Sequence, residues 1–265
     1  MNNKRENMKK LILTTATVFG LSGAVYAADF GGEVSLDVER NSAGDFIATP
    51  GVDLSFGITG DAATVFGGVD VTAENGDMVL DGWNIGTSFG ETSVSFGDQG
   101  DLFSFGGLEA VGGDTLADVA DDHESLIVKQ GNFGALVGFT DITNDASEVE
   151  NLQLSYAGTI NTVKYNATVD YNLTTEDYVV GGAFTTEMGK AKLGLAATYG
   201  DLFAYEATVG FDAVTVFANG DEVDAMQNIG AGVSYDINGA ALYAEVGYNL
   251  DTEELTPAIG VGLSF

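Results

Sequence analysis

The sequence contains no cysteine and only two prolines, one histidine and one tryptophan in 265 residues. Without cysteine, the chain forms neither a disulfide nor a thiolate metal site. A fold of this size therefore depends on backbone hydrogen bonding and on side-chain packing.

Basic residues are scarce as well. Beyond residue 27 there are 5 of them against 39 acidic residues, so that part of the chain carries a formal net charge of −34. Nucleic-acid binding is excluded, because it needs lysine and arginine against phosphate. Strong acidity often accompanies disorder, but 45% of the residues are hydrophobic, which indicates an ordered chain. The five basic residues are Arg40, Lys129, Lys164, Lys190 and Lys192.

After the N-terminus, no apolar run is long enough for a spanning helix. The first ten residues include four basic ones, Lys4, Arg5, Lys9 and Lys10, and an apolar stretch of about 15 residues follows from Leu11 to Val25. This stretch is shorter than the roughly 20 residues that a spanning helix needs. Val25 and Ala27 supply the small residues that a signal peptidase requires. The pattern predicts a signal peptide over residues 1–27, removed after Ala27, and one exported domain over residues 28–265.

Hydrophobic and polar residues alternate through this domain. Val34, Leu36 and Val38 have Ser35 and Asp37 between them, and the same pattern recurs to the C-terminus without helical periodicity. Because successive side chains of a strand point to opposite faces, the pattern predicts an all-β protein. Counting the segments gives about 16 strands, with a range of roughly 14 to 18.

The predicted connections alternate between two kinds. Tight turns such as Gly90-Glu91 and Gly131-Asn132 are rich in residues that accept positive φ, whereas segments such as 144–150 are longer and acidic. This asymmetry is typical of outer-membrane barrels, whose closed antiparallel sheet pairs every backbone group in lipid. We therefore predict a transmembrane β-barrel with a wet lumen, and a soluble β-sandwich is the alternative. Candidates for its interfacial aromatic girdles are Tyr156, Tyr171, Tyr199 and Tyr248.

One connection is much longer than the others. It runs from about Asp98 to Glu124, between the fifth and sixth predicted strands, and combines many acids with apolar residues such as Leu102 and Phe103. A connection of this length is usually functional or disordered. Its apolar residues need something to pack against, and folding into the barrel is one way to provide it.

Two segments around this connection resemble the general porins of Gram-negative bacteria, of the alphaproteobacterial type. Ser93-Val94-Ser95-Phe96-Gly97-Asp98 with its acidic loop is similar to their fifth strand and constriction loop. Glu124 to Gln130, followed by Asn132-Phe133-Gly134, is similar to the next strand and turn. The terminal Phe265 resembles the signature that the barrel assembly machinery reads. The resemblance implies a 16-stranded barrel, usually a homotrimer, whose third extracellular loop narrows the pore.

The chain departs from this family in three places. The family often sets an arginine cluster opposite the loop acids, but here no arginine follows Arg40. The second extracellular connection, from Glu74 to Asp77, is short for a latch between subunits. Alternation also breaks at Leu126-Ile127-Val128, where we expect both faces of the strand to be buried.

The barrel pattern and the porin resemblance imply a water-filled channel for passive diffusion of small hydrophilic solutes and ions through the bacterial outer membrane, and the acidity predicts that it prefers cations. Acidic groups along a pore favour cations over anions, and salt screens that preference. The predicted wall-side bases of the constriction are Lys129 and Lys164, although Lys164 could instead neutralise Asp170. The predicted loop-side acids are Asp98, Asp101, Glu109, Asp114 and Asp118.

Three other functions are alternatives. A structural or adhesive barrel would have a plugged lumen. A lipase-type enzyme would need a serine activated by a base. The single histidine, His123, lies close to Ser125 in sequence, but neighbouring side chains on an extended segment point apart, which is poor geometry for a catalytic triad. We therefore expect no enzyme. We expect no cofactor either, although hard oxygen ligands for a structural calcium ion occur at Asp114, Asp118, Asp121 and Asp122.

Overall fold

The computed structural model of the chain describes residues 27–40, 44–59, 63–74, 77–99, 102–103, 123–140, 148–222, 226–238 and 240–264. The predicted signal peptide, apart from Ala27, and the terminal Phe265 lie outside the described residues. No described helix is long and apolar enough to cross a membrane. The described part consists of sixteen strands, which confirms the all-β prediction: β1 (Ala27–Arg40), β2 (Phe46–Thr59), β3 (Thr64–Glu74), β4 (Asp77–Phe89), β5 (Thr92–Gln99), β6 (His123–Gln130), β7 (Phe133–Phe139), β8 (Val149–Ile160), β9 (Val163–Asn172), β10 (Tyr178–Met188), β11 (Ala191–Tyr199), β12 (Phe203–Phe211), β13 (Val214–Asp221), β14 (Asn228–Ile237), β15 (Ala240–Asn249) and β16 (Leu255–Ser264).

The strands form one closed antiparallel barrel. Each strand pairs with its neighbours in sequence, and β1 closes the ring by pairing with β16, where Val34 lies opposite Leu263. The β1–β16 pairing runs from Glu33 to Glu39 and turns the described strands into a ring without an open edge strand, as a sheet in lipid requires.

Alternation gives the barrel two chemically different faces. In β8, Leu152 and Leu154 are exposed, whereas Asn151 and Gln153 are buried. Side chains diverge on the convex outside of a closed sheet and converge inside it, so the exposed apolar set is the outer face and the buried polar set the inner one. The four predicted girdle tyrosines all fall on the outer face by this alternation.

The two rims differ as the sequence predicts. Six connections at one end, the turn rim, are two residues long, and in each the first residue has positive φ. Asparagine and aspartate tolerate this conformation better than other non-glycine residues. The connections at the opposite end, the loop rim, are mostly longer; β3 and β4 are the exception, separated there by residues 75–76 alone. The six turn residues with positive φ are Gly90, Gly131, Asn161, Gly189, Asp212 and Asn238.

Two hairpins at the loop rim repeat one another. The segments 172–177 and 249–254 read Asn-Leu-Thr-Thr-Glu-Asp and Asn-Leu-Asp-Thr-Glu-Glu. In both, the asparagine Oδ1 accepts hydrogen bonds from the backbone amides two and three residues on, at 2.8 to 3.0 Å. In both, the glutamate has positive φ. The same local hydrogen bonds and the same positive φ therefore give the β9–β10 and β15–β16 connections the same conformation. The two segments form a short sequence repeat.

Candidate pore wall and loop seat

Three carboxylates form a row across β1, β2 and β3. Glu33 lies directly opposite Asp53, and Asp53 lies directly opposite Asp70. All three belong to the inner face, because the intervening positions carry exposed apolar side chains such as Leu54. We call Glu33, Asp53 and Asp70 the acidic row.

Like charges at directly opposite positions repel one another. The acidic row therefore concentrates negative potential on one side of the barrel interior, where low-dielectric walls focus the field. A further inner carboxylate, Asp37, accepts a hydrogen bond of 2.6 Å from the Tyr243 hydroxyl across β16. The inner face of β1 to β3 thus carries four carboxylates, those of Glu33, Asp37, Asp53 and Asp70.

Further round the barrel from the acidic row, β6 and β7 carry an apolar patch on the inner face. Ile127 of β6 and Leu136 of β7 face inward, and Leu102, from the long connection after β5, completes a buried cluster with them. The Leu102 side chain also approaches Gly134, where a Cβ would lie 3.1 Å from its Cδ1. The described start of the long connection therefore packs against the inner wall.

Polar contacts hold the same point of the chain. The Leu102 amide donates a hydrogen bond to Gln153 Oε1, and the Leu102 carbonyl accepts one of 2.9 Å from Asn166 Nδ2. Thr168 Oγ in turn donates to Asn166 Oδ1 at 2.9 Å, which orients the amide. Both backbone groups of Leu102 are thus satisfied by the wall, as burial requires.

The next residue of the connection rests on a glycine. The ring of Phe103 lies over Gly181 of β10, where a Cβ would be 2.8 Å from the ring carbon Cε2. We call Leu102 and Phe103 the loop base, and the inner-wall residues that receive it the loop seat. The loop seat consists of Ile127, Gly134, Leu136, Gln153, Asn166 and Gly181.

The break in alternation at Leu126-Ile127-Val128 of β6 has a different explanation from the one that the sequence suggested. We expected both faces to be buried at 126–128, but Val128 is 38% exposed on the outer face and only Ile127 is fully buried. The break in alternation exists because Ile127, an apolar residue facing inward, is covered by the loop base. The prediction of two buried faces was wrong.

Among the predicted loop-side acids, Asp98 alone lies within the described residues. It lies in β5, opposite Trp83 and Glu124 in register. Alternation puts it on the opposite face from Ser95, whose hydroxyl bonds Gln99 within the barrel at 2.8 Å. The structure therefore sets Asp98 on the outer side of the rim and does not bring it to the acidic row. The other four acids, Asp101, Glu109, Asp114 and Asp118, lie outside the described residues.

The two predicted wall-side bases lie on the inner face near the turn rim. Lys129 is paired with Ser93 and Gly134, and Lys164 with Thr159 and Thr185. Lys164 does not neutralise Asp170, because six residues of strand separate them by about 20 Å at roughly 3.3 Å per residue. Their role at a constriction stays a prediction.

Two of the alternatives, a metal site and a catalytic serine, can be placed only in part on the described residues. That part contains no cluster of three or more acidic, histidine or cysteine side chains able to hold a metal ion. The calcium candidates Asp114, Asp118, Asp121 and Asp122 fall outside it. Ser125 is buried on the inner wall, and its Oγ has no hydrogen-bond partner among the described residues.

Solved porin structures share this architecture. A triple mutant of Rhodopseudomonas blastica porin matches with a TM-score of 0.64 and 14% identity, over 91% of this chain and 100% of that chain. A second mutant of that porin gives 0.63 and 15%, and an engineered protein of asymmetric conductivity gives 0.61 and 16%, at the same coverage. No protein-family model and no curated protein matches the chain. The fold is therefore that of the sixteen-stranded porins.

Proposed function

We propose that this protein is an outer-membrane porin, a water-filled channel through which small hydrophilic solutes and ions diffuse. The observation that carries the proposal is the combination of an exposed apolar outer face with a polar, acidic interior in one closed barrel. An apolar exterior is the surface that a bilayer accepts, and a polar interior retains water. The similarity of the fold to solved porin structures also supports this proposal.

The long connection is proposed to narrow the pore from within. Its support is the loop base, since Leu102 is buried against Ile127 and Leu136 well inside the loop rim. A connection that enters the barrel at this point starts at β6 and β7, three strands away from the nearest strand of the acidic row. Solutes would then pass between the loop and β1 to β3.

Assembly is proposed to follow the porin pattern. The resemblance implies a homotrimer in the outer membrane, with export by the N-terminal signal peptide and recognition of Phe265 by the barrel assembly machinery. Chemical cross-linking of the purified protein tests this assembly. If the protein is a trimer, the cross-linked products should form a ladder on a gel that ends at three subunits.

Liposome swelling tests the diffusion function. Vesicles that contain the refolded protein should swell in isotonic solutions of small sugars, at rates that fall steeply as the sugar becomes larger. Boiled protein in the same vesicles is the control. Folded protein that leaves the vesicles tight to the smallest sugar would contradict the proposal and favour a plugged structural or adhesive barrel.

Cation preference is proposed to arise mainly at the acidic row. The triple variant Glu33→Gln, Asp53→Asn, Asp70→Asn should move the reversal potential in a potassium chloride gradient toward zero, because it removes three interior charges. The difference from the parent protein should shrink as salt rises, since the screening length falls from roughly 10 Å at 0.1 M to about 3 Å at 1 M.

Exposed acids on the loop rim provide a matched control for that variant. Glu176→Gln, Asp201→Asn and Glu253→Gln remove the same number of charges from turns outside the strands. They should leave the reversal potential close to that of the parent protein. Equal effects of the two triple variants would show that net charge, and not the acidic row, sets selectivity.

A further inference from the structure

Three buried polar side chains of the inner wall have atoms with no hydrogen-bond partner among the residues that the structure describes. They are Ser125 of β6 and Asn151 and Gln153 of β8, each exposed by 3% or less. The atoms concerned are Ser125 Oγ, Asn151 Oδ1 and Gln153 Nε2. Buried polar atoms are nearly always paired with protein or with ordered water, so three in one region need an explanation.

The three residues are neighbours of one glycine in the strand pairing. Gly138 of β7 lies opposite both Ser125 and Asn151 in register, and Gln153 is the next inward residue of β8. Asn151 Oδ1 is 3.3 Å from the position that a Cβ of Gly138 would occupy. Because glycine brings no side chain, it leaves space between the two polar neighbours. We call Ser125, Gly138, Asn151 and Gln153 the Gly138 niche.

The hydrogen-bonding chemistry of the niche decides what it can hold. Gln153 Oε1 already accepts from the Leu102 amide, so the group of this amide that is left for the niche is Nε2, which can only donate. Asn151 Oδ1 is an acceptor, and a serine hydroxyl is both. A bare cation would meet the Gln153 N–H, and an anion would meet the Asn151 carbonyl and nearby Asp170, which is opposite Gln153. The niche therefore requires a ligand that both donates and accepts hydrogen bonds. Because the three side chains are almost completely buried, that ligand must be small.

We propose that the Gly138 niche is an internal hydration site. Water accepts a hydrogen bond from Gln153 Nε2 and donates one to Asn151 Oδ1, with Ser125 Oγ as a third partner. Buried waters typically make about three such bonds. The site fixes Gln153 at both ends of its amide, and it thereby couples the loop base to β6 and β8. This role does not depend on whether the barrel conducts.

A crystal structure of the purified protein at a resolution that shows ordered water tests the proposal directly. We expect water density at hydrogen-bonding distance, about 2.7–3.2 Å, from Gln153 Nε2 and Asn151 Oδ1. Pairing of these atoms with protein groups would overturn the proposal. A niche without density would overturn it as well.

The sign of a stability change gives a second, independent test. If the niche is hydrated, the double variant Ser125→Ala, Asn151→Leu loses satisfied hydrogen bonds, and the apparent Tm in detergent should fall by roughly 2–4 °C or more. If the niche is dry, the same variant removes unsatisfied buried groups and the Tm should rise. Ser55→Ala, at an exposed position of the inner face of β2, is the control and should leave the Tm unchanged. A rise in the double variant would contradict the proposal.

Discussion

Replacement of Gly97 by alanine is expected to prevent most of the chain from refolding into a barrel. Gly97 has a φ of +154°, and a Cβ there would collide with the Trp83 carbonyl oxygen and lie 2.7 Å from the Asn84 Cα. Both obstacles are backbone atoms of the paired strand β4, so relief requires a break in the β4–β5 ladder. We expect a destabilisation on the order of 3 kcal/mol or more, measured as the yield of the compact, heat-modifiable form on gels.

The chain provides matched controls for this variant. Gly57 and Gly182 also lie within strands, but an added Cβ would have no neighbouring atom within 4 Å at either position. Gly57→Ala and Gly182→Ala should therefore refold as well as the parent protein. A Gly97→Ala variant that refolds equally well would show that the local β4–β5 geometry described above is wrong.

Replacement of Leu102 by aspartate is expected to release the loop base while the barrel stays folded. The change removes an apolar side chain from contact with Ile127 and Leu136 and puts a charge in its place. Loss of such a contact costs about 3 kcal/mol, which shifts the ratio of docked to undocked loop by roughly 100-fold. If the loop narrows the pore, single-channel conductance should rise and become noisier.

Leu202→Asp is the comparison for this effect. Leu202 lies on the same rim, in the β11–β12 connection, and is 45% exposed, so a charge there displaces no packed residue. Its conductance should match that of the parent protein. Unchanged conductance in a folded Leu102→Asp protein would contradict the proposed role of the loop.

The barrel was predictable because it depends on signals that a sequence carries locally. Alternation in segments such as Val34 to Val38 fixes the two faces, and turn residues such as Gly131 and Asn161 fix the hairpins. The number of strands and the asymmetry of the rims follow from these signals. Closure then follows from the need to pair every strand edge.

The interior was less predictable because it depends on register and on glycines. Glu33, Asp53 and Asp70 are far apart in sequence and form a row only once the pairing is known, so the sequence pointed to the acids of the long connection instead. Gly134 and Gly181 make room for the loop base because they have no side chain. Such a role produces no hydrophobic or polar pattern in the sequence. Ile127 did leave a signal, the break in alternation on β6, but the signal does not say what covers it.

The most direct test of the channel is the conductance of the refolded protein in a planar bilayer with a potassium chloride gradient. We expect stepwise openings and a reversal potential whose sign favours cations, with a preference that weakens as the salt concentration rises. A folded protein that inserts but stays silent would contradict the channel itself. Stepwise openings that favour anions would contradict the acidic interior as the source of its selectivity.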